Sequence, residues 1–146
     1  MPSVLIVEDD LMIADMTEEF LVLSGYSVCG IARTVDAAIA LGRTHHPDLA
    51  LIDLRLAGGG LGTDVAAELR KSEDTGILFA SGNITQYDLT SENGHGSLVK
   101  PYLTKDLLSA LSIVSEIVAT GSSSLPHPNG FKLLKPACED NRVLHV

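Results

Sequence analysis

Residues 4–10 read VLIVEDD: four apolar side chains run without a break into Glu8, Asp9 and Asp10. An apolar run with no alternation fits a strand buried on both faces. Such strands belong to parallel sheets covered by helices on both sides. Three like charges where that strand ends repel one another, and more strongly as the site dries. A compensating positive charge is therefore expected close by.

The pattern recurs along the chain. Strand-like runs lie at residues 3–7, 26–31, 48–52, 76–80 and 97–99. Helix-like segments separate them at 11–23, 35–44, 63–71, 84–92 and 104–119, of which 84–92 has the fewest strong helix formers. Alternating units of this kind predict an α/β fold around a parallel sheet. Local punctuation agrees. Gly25 suits a left-handed helix end, Thr34 and Thr104 are candidate N-caps, and Pro47 stops the second helix at His46. Leu107, Leu108, Leu111, Val114 and Val118 form an amphipathic stripe on the last helix.

From Gly121 the composition changes to GSSSLPHPNG, which reads as a linker. We divide the chain into a domain at 1–120 and a linker-like tail or arm at 121–146. Two readings of the tail stand: a disordered end, or an arm that packs Phe131, Leu133 and Leu134 on this chain or a partner. The 146 residues suffice for one domain with a real core, and carry a net charge of −9. That charge argues against binding a nucleic-acid backbone. No apolar run is long enough to span a bilayer, and the start of the chain lacks the pattern of a signal peptide. Cys29 and Cys138 form no disulfide framework, so a cytoplasmic location is expected.

In open parallel sheets the ligand site lies beyond the carboxyl ends of the strands. There the strands deliver Glu8, Asp9 and Asp10; Asp53 from LALIDLRL; Ser81 from ILFASGN; and Lys100 from SLVKPY. Clustered carboxylates suit a hard divalent cation such as Mg²⁺, which keeps several waters and often shares phosphate oxygens. The cation and Lys100 would supply the missing positive charge. A carboxylate can also be the covalent nucleophile in phosphoryl transfer, with cations and hydroxyls holding the phosphoryl oxygens.

These four motifs, in this order, resemble the receiver domain of two-component response regulators over about residues 2–120. The resemblance implies a flavodoxin-like, doubly wound five-stranded parallel sheet of order 2-1-3-4-5. It implies that Asp53 accepts a phosphoryl group from a histidine kinase or phosphotransfer protein. Mg²⁺ would sit on Glu8, Asp9, Asp53 and the backbone carbonyl of Arg55, with Ser81 and Lys100 on the phosphoryl group. Asp10 is then a solvated or capping residue. Arg55 and Asn83 would tune dephosphorylation. The chain departs from the family pattern in three places. Ser97 stands where an aromatic switch residue is usual, the loop RLAGGGLG lacks the common proline, and FASGN is similar to a subgroup with Phe-Ala-Thr-Gly. With no output domain after the last helix, the expected role is a stand-alone regulator. It would signal by protein contact or phosphoryl relay, with a homodimer as one form open to it, and turn over no independent substrate.

Rival readings are a receiver-like binding module that works without phosphate, and a phosphoester hydrolase using Asp53. Arg55 stands where a hydrolase wants a second acid. Gly58–Gly62 fits no nucleotide-loop template and reads as a loop. His45 and His46 lack partner ligands and read as surface residues, and Cys29 as a small strand residue.

Overall fold

The computed structural model describes residues 2–72, 74–82 and 87–137. In chain order the elements are β1 (Ser3–Val7), α1 (Leu11–Leu23), β2 (Ser27–Ala32), α2 (Val35–His45) and β3 (Leu49–Asp53). They continue with α3 (Gly62–Leu69), β4 (Gly76–Ser81), β5 (Gly96–Val99), α4 (Thr104–Thr120) and β6 (Phe131–Leu133). One sheet holds all six strands, in the order β2-β1-β3-β4-β5-β6. The first five are parallel, as the apolar runs predict, and β6 is antiparallel to β5.

Why the strands are apolar at successive positions is visible in the core. Leu5, Val7, Ile52, Ile77 and Phe79 face one layer, where they meet Ala38 of α2 and Val65 of α3. Val4, Ile6, Leu51, Leu78 and Leu98 face the other, against Leu21 of α1 and Leu107, Leu111 and Val114 of α4. Each fully buried side chain of this size contributes roughly 1.5–3 kcal/mol. A polar residue on either face would forfeit that.

The helix ends follow from named side chains. Asp10 caps α1 by accepting from the backbone N–H of Met12 and Ile13, at 3.0 and 3.3 Å. Thr34 caps α2 through Ala37 N at 3.2 Å. Gly25 follows α1 with φ 98°, and His46 ends α2 with φ 47°.

Three expectations are corrected. Thr104 is inside α4, not its cap; Leu103 holds the cap position without a side-chain bond. Of the expected helix at 84–92, residues 84–86 lie outside the described residues and 87–92 are not helical. There Asn93 Oδ1 accepts from Thr90 N at 2.9 Å, and Thr90 Oγ1 accepts from Glu92 N at 3.3 Å. Short polar side chains have captured the backbone that a helix would need. Lastly, the sheet gains a sixth strand. Phe131–Leu133 pairs along the open edge of β5, and Leu134 is buried in the core. The arm therefore packs on this chain; residues 138–146, with Cys138, lie outside the described residues.

Candidate functional site

Because β1, β3, β4 and β5 run parallel, their carboxyl ends meet at one edge of the sheet. Asp53 is the last residue of β3 and Ser81 the last of β4. Glu8 and Asp9 follow β1, and Lys100 follows β5. The register sets Asp53 beside Ala80, and Ser81 beside Val99. Backbone bonds fix the ends: Glu8 N to Ala32 O at 2.9 Å, and Lys100 N to Ser81 O at 3.1 Å.

The side chains of Glu8, Asp9, Asp53 and Lys100 converge at this edge. Carboxylate oxygens of Glu8, Asp9 and Asp53 lie within 4.8 Å of one another. Two unit charges at that spacing repel by roughly 3–4 kcal/mol at an effective dielectric of ~20. The compensating charge is Lys100. Its Nζ donates to Glu8 Oε1 at 2.5 Å and to Asp53 Oδ2 at 3.4 Å. These side chains are only 8 % (Glu8), 16 % (Asp53) and 20 % (Lys100) exposed, so little water intervenes. Burial alone would lower the Lys100 pKa. The hydrogen bond that Lys100 donates to Glu8 and the charges of Asp53 and Glu8 together outweigh it, and the ammonium is held above its ordinary range.

The donor set fits a hard cation: it is all oxygen and triply acidic, with no sulfur or imidazole. Glu8 is the most engaged of the three. It accepts from Lys100 on one oxygen and from Asp10 N, at 3.2 Å, on the other. Asp9 and Asp53 are thus the acids better placed for direct metal contact. The loop that carries Arg55 is fixed nearby by Leu56 N to Gly60 O and Gly62 N to Leu54 O, both 2.9 Å. Gly62 is required there: a Cβ would come within 2.2 Å of Asp53 O. The glycine run is therefore packed at Gly60, against Val35, and at Gly62, against the site, and open at Gly58 and Gly59. Asn83 lies outside the described residues. His45 and His46 are exposed and far from this edge in the fold, at the end of α2, and Cys29 is a half-buried strand residue.

Sequence reasoning missed Arg33, Tyr102 and Tyr87, and named Phe131 only as a packing residue of the arm. Arg33 ties two site loops together: its Nε donates to Asp9 O at 3.2 Å, and its carbonyl accepts from Ala57 N at 3.1 Å. Tyr102 sits beneath the cluster and bonds Thr17; burial raises its phenol pKa, against the opposing pull of Lys100 and Thr17. Tyr87 accepts from Arg55 Nε at 3.1 Å. Phe131 lies over Gly96 of β5. Of the three missed, only Tyr102, two residues after Lys100, had a local signal.

A family model described as the response regulator receiver domain matches residues 4–112. Among curated relatives, the transcriptional regulatory protein MalR of Bacillus subtilis is 31% identical over 117 residues, covering 77% of this chain and 49% of MalR. The transcriptional regulatory protein PdtaR of Mycobacterium tuberculosis is 30% identical over 114 residues, covering 75% and 55%. This chain spans about half the length of these relatives. Among solved structures, the receiver domain of a modulated diguanylate cyclase from Desulfovibrio desulfuricans superposes with a TM-score of 0.72. It is 25% identical, over 84% of this chain and 99% of that one. The response regulator PhyR from Brucella abortus gives 0.67 at 26% identity, over 82% and 52%. With the acidic edge, the lysine and the sheet order in place, these matches show that the chain belongs to the response regulator receiver domain family of two-component signalling.

Proposed function

We propose that Asp53 is the phosphoryl acceptor of a Mg²⁺-dependent phosphorelay. The observation that carries this reading is the convergence of Glu8, Asp9 and Asp53 within 4.8 Å, with Lys100 bridging two of them. A carboxylate oxygen of Asp53 attacks the phosphorus of a phosphohistidine. The O–P bond forms as the N–P bond breaks, and the imidazole nitrogen leaves with the electron pair. Lys100 Nζ, already within reach of Asp53, neutralises the charge gathering on the phosphoryl oxygens, and the Ser81 hydroxyl binds one of them. Asp9, Asp53, the Arg55 carbonyl and, through or beside them, Glu8 would hold Mg²⁺, which supplies charge neutralisation between acceptor and phosphoryl group.

The phosphodonor is read as a helical partner. A groove of about 540 Å³ opens beside the site, lined by Ile13, Met16 and Phe20 of α1 and by Pro101, Tyr102 and Leu107. Gly82 and Lys100 form its rim. A helix seated there would bring its histidine to Asp53. The signal then passes by protein contact or onward relay, in the cytoplasm.

Thermal melts test the metal part. In chelator, Asp9→Asn removes a repelling carboxylate that holds no salt bridge among the described residues. It is predicted to melt a few degrees above wild type, as about 1 kcal/mol gives for a domain of this size. Millimolar Mg²⁺ is predicted to raise the wild-type midpoint and leave Asp9→Asn unmoved. A wild-type midpoint indifferent to Mg²⁺ contradicts the reading.

A further inference from the structure

The arm is fastened to the strand that carries the site lysine. Strand β6 pairs Phe131, Lys132 and Leu133 with Leu98, Ser97 and Gly96 of β5. Bonds flank the pairing on both sides: Val99 N to Gly130 O at 3.1 Å, and Leu134 N to His95 O at 3.1 Å. A third, Ser91 N to Lys135 O at 3.0 Å, ties the arm to the loop before β5. The Phe131 ring lies on Gly96, where a Cβ would come within 2.6 Å of it. Only three residues make the strand, and the largely exposed stretch 121–130 joins it to α4 between two glycines of positive φ. Its three-residue pairing is the shortest in the sheet, so it has the least backbone pairing to lose and is poised to open before the other strands.

The bond at Val99 lies next to the site. Val99 pairs with Ser81, and Lys100 N donates to Ser81 O at 3.1 Å. Both groups that would grip a phosphoryl group on Asp53 thus flank Val99. The sheet order gives the direction. Strand β3, with Asp53, lies on one side of β5 and β6 on the other. Lys100 already reaches Asp53, so a phosphoryl group there would act on the end of β5 through Ser81, whose carbonyl accepts from Lys100 N, and a pull on that side would draw β5 away from Gly130. We propose that the arm is the element that reports the state of Asp53: loading the site loosens β6 and uncovers the edge of β5. This rests on the phosphoacceptor reading above. The coupling is reciprocal, so opening the arm eases loading of the site by the same factor.

The test is amide hydrogen exchange on the full chain, with and without Mg²⁺ and beryllofluoride as the probe. Loading is read at residues 8–10 and 53–56, and arm opening at Val99 and Leu134. With loading, exchange at Val99 and Leu134 is expected to quicken about tenfold, the factor that 1.4 kcal/mol of coupling gives. Phe131→Ala, which loosens the arm, is expected to tighten beryllofluoride binding by a similar factor. Loading at Asp53 with Val99 and Leu134 unchanged or slower overturns the inference and leaves the phosphoacceptor reading standing. Unchanged beryllofluoride affinity in a folded Phe131→Ala chain also overturns it. No loading at Asp53 overturns both.

Discussion

Glu8 is occupied before any ligand arrives, with Lys100 on one carboxylate oxygen and Asp10 N on the other. Phosphoryl transfer would therefore begin from a partly neutralised, pre-positioned cluster, and fixed charges of that kind serve a developing charge best. At the far end of the sheet, His95 bears on stability. Its Nδ1 accepts from Ile77 N at 2.9 Å, a bond that a proton on Nδ1 would abolish. Burial, and then the nearby Arg70 charge, lower its pKa from the ordinary 6.5 to about 4. Between those values the folded chain binds fewer protons than the unfolded one, so stability is whole above pH 6.5 and falls as the pH drops toward 4. His95→Gln is predicted to flatten that part of the curve. Urea midpoints of wild type and variant at pH 7.5 and 4.5 check this, and an equal loss in both would contradict it. Residues of this kind divide by how far their partners lie in sequence. Asp53 and Lys100 were legible because each ends an apolar run. Arg33 was not, because nothing local says that its guanidinium reaches Asp9 O.

At the scale of elements, β1, β3 and β4 were legible because burial on both faces leaves a continuous apolar run. The stretch 87–92 was misread because Thr90 and Asn93 satisfy the backbone locally. The start of α3 shows the opposite: a glycine that reads as slack is tightly packed. A Cβ at Gly62 would strike Asp53 O, whereas one at Gly82 meets nothing within 4 Å. Gly62→Ala is predicted to cost roughly 1–3 kcal/mol, as overpacking does, and Gly82→Ala close to nothing. Chemical denaturation of both variants decides it. Equal stability of the two would mean that α3 does not approach Asp53 as described.

For the whole molecule, the arm changes what counts as the folded unit. Leu134 is buried with Phe79 and Ile77 in the first core layer. Leu134→Ala is predicted to cost about 2–5 kcal/mol, the range for a buried leucine, within a single unfolding transition. A change below 0.5 kcal/mol would mean that the arm lies outside the fold. This strand was hard to read because FKL is short, and its pairing partner β5 lies some thirty residues earlier. The arm also sets Phe131 against β5 at Gly96, next to Ser97, so an aromatic reaches the strand from elsewhere in the chain.

The most direct test of the central claim is intact-protein mass after incubation with acetyl phosphate and Mg²⁺, for wild type and Asp53→Ala. The account predicts a gain of one phosphoryl group in wild type, none in Asp53→Ala, and none in wild type with chelator. No gain in wild type, beside a receiver control that labels, would contradict it and favour a receiver-like module that binds without phosphate.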